Sequence, residues 1–257
     1  MESRHVIDTD GVRLHIDVGG SGSDVLVLSG GPGCVHYLAQ DELVPEGMRA
    51  WCPEPRGVGR SGGGAHSMTQ AVADLELVRR TFEIDSWVVL GHSWGSDLAV
   101  RYALDCPESV SGVVGIAGHG LHKDRTWSKQ YEAGIEPDPQ IPWEPVVWQS
   151  LQESFVEWIH EPQLFRQLAD SPVPMTFLAA ADDIRPSWPL QQLAALVPNG
   201  SFEVVDGVAH NFWQSHPGLW RTIVTEACAT HSTLLISTRI RSATVRYPRL
   251  RLTVSIG

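Results

Sequence analysis

The sequence lacks long hydrophobic runs. No segment reaches the roughly 18–20 consecutive apolar residues that a membrane-spanning helix needs, and residues 1–5 do not begin an apolar leader. We therefore expect no membrane attachment and a cytoplasmic location. The four cysteines are scattered without a C-x-x-C pair, which favours free thiols over a disulfide framework; they are Cys34, Cys52, Cys106 and Cys228.

Basic residues are also scarce. The 257 residues include 19 Lys and Arg against 30 Asp and Glu, a net charge of −11 at pH 7, so a nucleic-acid partner is not expected. Residues 231–257 reverse this balance, because they contain five arginines and no acid. The chain is 42% hydrophobic and 19% charged, which excludes disorder and predicts one or two folded domains.

Strand-like and helix-like segments alternate along most of the chain. This alternation predicts a mostly parallel sheet with helices on both faces, preceded by a hairpin around residues 9–11. The alternation stops between residues 118 and 171, where we expect an insertion of short helices and loops. The predicted strands are 4–8, 12–18, 24–28, 48–52, 86–90, 110–117, 175–180 and 201–205, and the predicted helices are 69–82, 97–104, 189–196 and 217–229.

The pentapeptide at residues 91–95, G-H-S-W-G, fits the pattern G-x-S-x-G. It lies between the predicted strand at 86–90 and the predicted helix at 97–104, where a tight turn projects the serine hydroxyl away from the backbone. The two glycines avoid a clash around the turn, and the helix N-terminus offers free N–H groups to a developing oxyanion. Ser93 is therefore the predicted nucleophile.

A serine nucleophile needs a base, and on this kind of turn an acid and then a histidine follow it along the chain. His210 lies in a turn after the last predicted strand, and we predict that it is the base. His216 competes less well, because it precedes Pro217 at the entry to the final helix. His92 is inside the elbow and is expected to line a pocket or the surface.

Two neighbouring carboxylates qualify as the acid, since Asp182 and Asp183 both follow the predicted strand at 175–180. We favour Asp183, because residues 183–186 turn into the next helix, and we keep Asp182 as the alternative. The acid holds the histidine in one tautomer and stabilises the imidazolium.

The backbone N–H groups of Trp94 and Gly31 are the predicted oxyanion donors. Gly31 belongs to the S-G-G-P-G stretch at residues 29–33, which follows the predicted strand at 24–28. The alternative, a phosphate cradle, is disfavoured because the stretch lacks both a P-loop Lys and the G-x-G-x-x-G spacing. No cluster has metal-ligand spacing, so neither a metal nor a cofactor is expected.

Three motifs carry a resemblance to the α/β-hydrolase superfamily over residues 5–229. They are S-G-G-P-G at residues 29–33, P-R-G-V-G-R-S at 55–61 and G-H-S-W-G-S at 91–96. Together they most resemble the proline iminopeptidase-like branch, whose usual forms are H-G-G-P-G, D-Q-R-G-x-G-x-S and G-x-S-W-G-S.

The resemblance implies an α/β-hydrolase fold, a Ser-His-Asp mechanism, an oxyanion hole from the first and third motifs, and a helical cap over the pocket. Residues 118–171 are the expected cap, inserted after the strand that follows the nucleophile's helix. The sequence departs from the family at Ser29, which replaces a histidine, and at residues 54–55, where Glu-Pro replaces Asp-Gln. Arg56 and Arg60 are expected to brace their loop through ion pairs.

The predicted cap is shorter than that of true iminopeptidases, which hold the substrate's free amine with cap glutamates. We interpret its own glutamates as solvated faces of helices; they are Glu132, Glu136, Glu144, Glu153, Glu157 and Glu161. Its tryptophans indicate an apolar cleft, and Trp127, Trp143 and Trp148 are the predicted pocket residues. Such a cleft suits a carboxylic ester, lactone or thioester.

The leading hypothesis is therefore a serine hydrolase that acts on a small-molecule acyl substrate. The alternative is an aminopeptidase like the proline iminopeptidases, and a further alternative is a ligand receptor or non-hydrolytic enzyme on this fold. Ser93 argues against an epoxide hydrolase or a haloalkane dehalogenase, since those members of the superfamily use an aspartate nucleophile. The oligomeric state and the identity of the substrate stay open.

We predict a core domain at residues 1–117 and 172–230, the cap at 118–171, and a basic extension at 231–257 outside the fold, which is expected to end near residue 229. The extension is compatible with an added strand pair, a segment with no selected role, or a docking arm for another copy, and no catalytic role is expected. The strand pair would use Leu234, Ile236, Val245, Tyr247, Leu250, Leu252 and Val254.

Overall fold

The computed structural model describes residues 1–121 and 125–243. Its centre is an eight-stranded sheet with the order β1-β2-β4-β3-β5-β6-β7-β8. β2 pairs antiparallel with β1 and β4, and every other pairing is parallel, which confirms the predicted mostly parallel sheet. The strands are β1 (Glu2–Ile7), β2 (Arg13–Gly20), β3 (Ser23–Leu28), β4 (Met48–Pro53), β5 (Trp87–His92), β6 (Val110–Ile116), β7 (Met175–Ala180) and β8 (Gly200–Val205).

Helices cover both faces of the sheet. The alternation of side chains along β5 shows why: Trp87 and Val89 pack into the core on one face, whereas Val88 and Leu90 pack into the core on the other. α1, α2, α4, α5 and α6 bury residues in the first core, and α7 and α8 bury residues in the second. The helices are α1 (Met68–Thr81), α2 (Trp94–Asp105), α3 (Arg125–Ala133), α4 (Pro145–Ile159), α5 (Leu164–Ala169), α6 (Trp188–Leu196), α7 (Phe212–Ser215) and α8 (Pro217–Ala243).

The segment between β6 and β7 contains α3, α4 and α5 joined by loops. α4 buries one stripe at helical spacing, formed by Val147, Leu151, Phe155 and Trp158, because residues three or four apart share a helix face. The N-terminus of α1 joins this helix through a hydrogen bond of 3.0 Å from the Met68 N–H to Ser154 Oγ. The segment is therefore packed onto the core.

The C-terminal helix differs from the expectation. α8 continues through residues 229, 234 and 236, so a fold that ends near residue 229 and a strand at 234–236 are both wrong. No Gly or Pro occurs at residues 219–247, so local sequence provides no helix breaker. The other residues of the predicted strand pair lie outside the described residues: Val245, Tyr247, Leu250, Leu252 and Val254.

His231 shows that the predicted boundary at residue 231 divides a packed helix. Its side chain is buried, its Nε2 lies 3.2 Å from Thr176 Oγ1 on β7, and it packs so closely on Gly112 of β6 that a Cβ there would lie 2.4 Å from its ring. α8 is thus part of the core at least to this residue. Across the described chain, no helix is both long and apolar enough to cross a membrane.

Candidate active site

Ser93 occupies a strained turn between β5 and α2. It is not glycine, yet its φ is 55° and its ψ is −129°, a backbone conformation that L-residues rarely adopt. Its N–H donates a hydrogen bond of 2.8 Å to the carbonyl of Ile116 at the end of β6, which ties the turn to the neighbouring strand. Strain that the surrounding structure holds in place is typical of functional sites.

The two glycines of the motif are required by close backbone packing. A Cβ on Gly91 would lie 2.2 Å from the carbonyl oxygen of Gly95, and a Cβ on Gly95 would lie 2.4 Å from the carbonyl oxygen of Leu28. Both distances are far below van der Waals contact. The pattern G-x-S-x-G therefore has glycine at these two positions because the turn packs too tightly against itself and against β3 to accommodate a side chain.

His210 and Asp183 form a buried pair at the same end of the sheet. Nδ1 of His210 lies 2.6 Å from Oδ2 of Asp183, and each side chain is 5% exposed. Asp182, the alternative acid, is exposed, and its N–H donates to the carbonyl of Val208. The geometry therefore pairs the histidine with Asp183 and leaves Asp182 in solvent.

Ser93 lies near this pair, because the ring of its neighbour His92 has its centroid 4.8 Å from that of the His210 ring. In the described structure the Ser93 hydroxyl makes no hydrogen bond to His210. Such bonds are often long in unliganded sites and tighten when substrate binds. Because Nδ1 of His210 faces Asp183, Nε2 is the ring nitrogen available to a serine.

Arg185 connects this pair to a glutamate between α3 and α4. Its guanidinium contacts Oδ1 of Asp183 at 3.0 Å and Oε2 of Glu136 at 2.9 Å, and its Cζ lies 5.1 Å from the ring centroid of Tyr131. Burial by itself would raise the pKa of Asp183, but the hydrogen bond from His210 and the charge of Arg185 lower it to about 2. Asp183 is therefore ionised at neutral pH.

Opposing influences act on the pKa of His210. Burial lowers the pKa of His210 below its ordinary value, in opposition to Asp183, which raises it. The net shift is downward, so the imidazole is neutral at pH 7 and is able to accept a proton.

The loop at residues 29–33 lies directly against Ser93, since a Cβ on Gly30 would lie 2.3 Å from the Ser93 Cβ. The N–H of Gly30 is already donated to the Tyr37 hydroxyl at 2.7 Å. The N–H of Gly31 has no acceptor among the described residues, and Trp94 is the first residue of α2, where helical N–H groups lack partners. Two free donors therefore flank the serine.

The three predicted pocket tryptophans do not come together. Trp143 and Trp148 form an edge-to-face pair with centroids 6.1 Å apart, and both are about half exposed. The backbone of Trp143 bridges to Cys34, beside the predicted oxyanion loop. Trp127 is buried and stacks on Tyr131 at 5.3 Å instead, so it belongs to packing around Arg185 rather than to the same surface.

A cavity of about 60 Å³ lies beside the elbow. Ser29 and Trp94 contribute to its wall, whereas Ser93, Asp183 and His210 do not. Its charged residues include Arg56 and Asp74, which are paired with each other. Most of the remaining wall is apolar and includes Leu14, Leu28, Leu75, Val78, Leu98 and Leu151.

The loop at residues 54–61 is braced by ion pairs, as expected. Arg56 donates to Asp74 at 2.9 Å and to Asp8 at 2.6 Å. Glu54 accepts 2.6 and 3.0 Å hydrogen bonds from the backbone N–H and Nη2 of Arg60. Glu54, which replaces the family's aspartate, therefore still provides a carboxylate that holds the loop.

One group of side chains has donor atoms close enough for a metal ion. Oxygen or nitrogen atoms of Glu136, Asp183 and His210 lie within 4.8 Å of one another. Arg185, however, is hydrogen-bonded to both carboxylates, so a metal cation would stand against its positive charge. The donor set fits a guanidinium better than it fits a metal.

Sequence reasoning missed two members of this arrangement. His92 neither lines a pocket nor lies at the surface as expected, because it is fully buried and hydrogen-bonded to Tyr37 and His210. Glu136 is not a solvated helix face, since it pairs with Arg185. No local pattern marks these contacts, because the partners are far apart in the chain.

Comparisons with known proteins identify the fold. The family model for the α/β hydrolase fold matches residues 25–140. A proline iminopeptidase of Neisseria gonorrhoeae is 38% identical over 98 residues, which are 36% of this chain and 32% of that protein. An epoxide hydrolase of Caballeronia sordidicola is 31% identical over 117 residues, 43% of this chain and 36% of that protein. The match thus spans about a third of each of these curated relatives.

A solved structure covers more of the chain. The proline iminopeptidase of Mycobacterium smegmatis superimposes with a TM-score of 0.70 over 91% of this chain and 100% of that one, at 16% identity, a level that shows the fold alone. The sheet and these matches show that the chain has the α/β-hydrolase fold. Over part of its length the sequence resembles the proline iminopeptidase-like branch, as its three motifs predicted.

Proposed function

We propose that the protein is a serine hydrolase that acts through an acyl-enzyme on a small carboxylic ester, lactone or similar acyl substrate. The observation that carries this proposal is that Ser93, on its strained turn, directly follows His92, whose Nε2 lies 2.9 Å from the carbonyl oxygen of His210, while Nδ1 of His210 lies 2.6 Å from Asp183. Ser93, Asp183 and His210 follow one another along the chain in the order nucleophile, acid and base, and their side chains have the matching chemistry.

In the proposed cycle, Nε2 of His210 takes the proton of Ser93 as Oγ attacks the substrate carbonyl. The N–H groups of Gly31 and Trp94 donate to the oxyanion. His210 then gives its proton to the leaving alcohol as the carbon–oxygen bond breaks. A water, deprotonated by the same nitrogen, attacks the acyl-enzyme and releases the acid and the free Ser93.

The surroundings of Glu136 support an ester over a peptide N-terminus. A charged amine needs an unpaired carboxylate near the reacting carbonyl, and among the six predicted cap glutamates this one is beside His210 and Asp183. Both of its oxygens already accept hydrogen bonds from Arg185. The other five are exposed: Glu132, Glu144, Glu153, Glu157 and Glu161.

The cavity beside the elbow supports a small, mainly apolar acyl group. Trp94, one of the two proposed oxyanion donors, lines it together with Ser29, which belongs to the same loop as Gly31, the other proposed donor. Burial of a short hydrocarbon there would be favourable by about 0.8 kcal/mol for each methylene group.

Aminopeptidase activity is the second candidate, because similar sequences include a proline iminopeptidase. An epoxide hydrolase also matches, but Ser93 stands at the nucleophile position, where that chemistry uses an aspartate. A receptor on this fold would bind such ligands without turnover.

One panel separates these functions. Hydrolysis of p-nitrophenyl esters of increasing chain length, of lactones and of prolyl-p-nitroanilide is measured for the wild type and Ser93→Ala. The proposal predicts turnover of short esters or lactones that Ser93→Ala abolishes. Faster hydrolysis of prolyl-anilide, lost when its amine is blocked, would establish the second candidate, and binding without turnover would indicate a receptor.

A further inference from the structure

A chain of hydrogen bonds joins the loop at residues 29–33 to the turn that carries His210. The Gly30 N–H donates to the Tyr37 hydroxyl at 2.7 Å. The same hydroxyl lies 2.7 Å from Nδ1 of His92, and Nε2 of His92 lies 2.9 Å from the carbonyl oxygen of His210. His92 directly precedes Ser93, so the chain connects all three segments of the proposed catalytic site.

The hydrogen positions in this series of hydrogen bonds follow from the groups at its two ends, the Gly30 N–H and the His210 carbonyl. A carbonyl oxygen only accepts, so Nε2 of His92 carries the hydrogen that bonds to His210. Nδ1 of the neutral ring is then an acceptor, and the Tyr37 hydroxyl donates to it while accepting from Gly30. Burial and the neighbouring His210 hold the pKa of His92 well below its ordinary value, consistent with a neutral ring.

Aromatic packing fixes the two side chains in place. Tyr37 stacks on Trp213 with ring centroids 4.8 Å apart and an interplanar angle of 21°. His92 meets Trp220 edge to face at 5.6 Å and is fully buried. Since Trp213 and Trp220 follow His210 on α7 and α8, the packing holds the same segments together as the hydrogen bonds do.

We propose that Tyr37 and His92 are positioning residues that set the distance between the oxyanion donors, the serine and the general base. The proposal rests on the proposed hydrolase function. Neither side chain is assigned a contact with substrate, and both act through the backbone of Gly30 and His210. A displacement of about 1 Å between reacting groups reduces rates by about 100-fold.

Tyr37→Phe tests this proposal with little change in shape. It removes the hydroxyl, so the Gly30 N–H loses its acceptor and Nδ1 of His92 loses its donor. We expect kcat on the best ester from the panel to fall by about 10–100-fold while KM changes less than about threefold, because binding contacts are kept and alignment is lost.

Tyr102→Phe is the matched control. Tyr102 is also buried, and its hydroxyl likewise accepts from one N–H group, here the indole of Trp87 at 3.2 Å, and donates once, here to Glu76 at 2.6 Å. It lies at the far end of α2, away from Ser93. We expect Tyr102→Phe to lower the melting temperature at least as much as Tyr37→Phe does, with kcat unchanged within about twofold.

Two variants of His92 complete the test. Glutamine offers an N–H and an oxygen acceptor, so His92→Gln should keep more kcat than His92→Leu does. In a double-mutant cycle, Tyr37→Phe combined with His92→Leu should cost little more than His92→Leu alone, because both break the same chain.

The outcomes separate this proposal from the proposed function. If Ser93→Ala abolishes hydrolysis but Tyr37→Phe keeps kcat within twofold, or if the two changes are additive in the cycle, the positioning role is wrong and the hydrolase function stands. If Ser93→Ala keeps full hydrolysis, the proposed function itself is wrong.

Discussion

Replacing Asp183 with Asn gives a sharp test of the proposed triad, because the neighbouring Asp182 provides a control. Asparagine has the same shape but no charge, and its amide group permits the wrong tautomer of His210. Loss of the acid in a Ser-His-Asp site typically reduces kcat by about 10³–10⁴-fold, which is about 4–5.5 kcal/mol of transition-state stabilisation. Asp182→Asn changes an exposed side chain and should leave kcat within about twofold.

The same substitution has a predicted effect on stability. The pKa of Asp183 falls from 3.8 to about 2, so its ionised form contributes on the order of 2 kcal/mol of folding stability. The pKa is depressed in the folded state, and the contribution is therefore fully present above pH 4 and is lost as the pH falls toward 2. For a chain of this size, Asp183→Asn at pH 7 should lower the melting temperature by about 4–8 °C.

Ester hydrolysis and thermal unfolding are measured for both variants at pH 7. The expected result is a large loss of kcat and a lower melting temperature for Asp183→Asn, with Asp182→Asn close to the wild type. If Asp182→Asn is the inactive variant, or if both retain full activity, the assignment of the acid is refuted.

Three further predictions concern pH, the oxyanion loop and the C-terminal helix. The acid limb of the kcat/KM profile is expected to follow the pKa of His210, and Glu136→Gln should move this limb to lower pH, because it removes a carboxylate that raises this pKa while Asp183, Arg185 and His92 still face His210; a limb that stays in place or moves to higher pH would contradict this electrostatic explanation. Gly30→Ala should abolish ester hydrolysis, since its Cβ would lie 2.3 Å from that of Ser93, and activity near the wild-type level would show that the loop is not held there. Truncation after residue 243 should leave the melting temperature and kcat unchanged, whereas His231→Ala should lower the melting temperature; unfolding on truncation would assign residues 244–257 a structural role.

The sequence predicts the sheet well, because parallel strands covered on both faces are short apolar runs separated by helices of regular period. It also locates Ser93, since the glycines at 91 and 95 are demanded by local backbone contacts of 2.2 and 2.4 Å. Asp183 and His210 are predictable because each directly follows a strand of the sheet.

The supporting contacts are not predictable in this way. Tyr37 and His92 are 55 residues apart, His92 and His210 are 118 apart, and Arg185 and Glu136 are 49 apart, so no local pattern links them. The predicted strand at residues 234–236 is wrong for a different reason. A short alternation of apolar residues is compatible with a strand, but the absence of Gly and Pro at residues 219–247 lets α8 continue.

Ser93 is proposed to form the covalent acyl-enzyme, and chemical labelling tests this directly. Wild-type protein and Ser93→Ala are treated with an excess of a fluorophosphonate, and intact mass and peptide mapping identify the modified residue. If Ser93 is the nucleophile, we expect one adduct on the peptide that contains Ser93, loss of ester hydrolysis in proportion to labelling, and no adduct on Ser93→Ala. An adduct on another residue that abolishes hydrolysis, or full hydrolysis by Ser93→Ala, would contradict it.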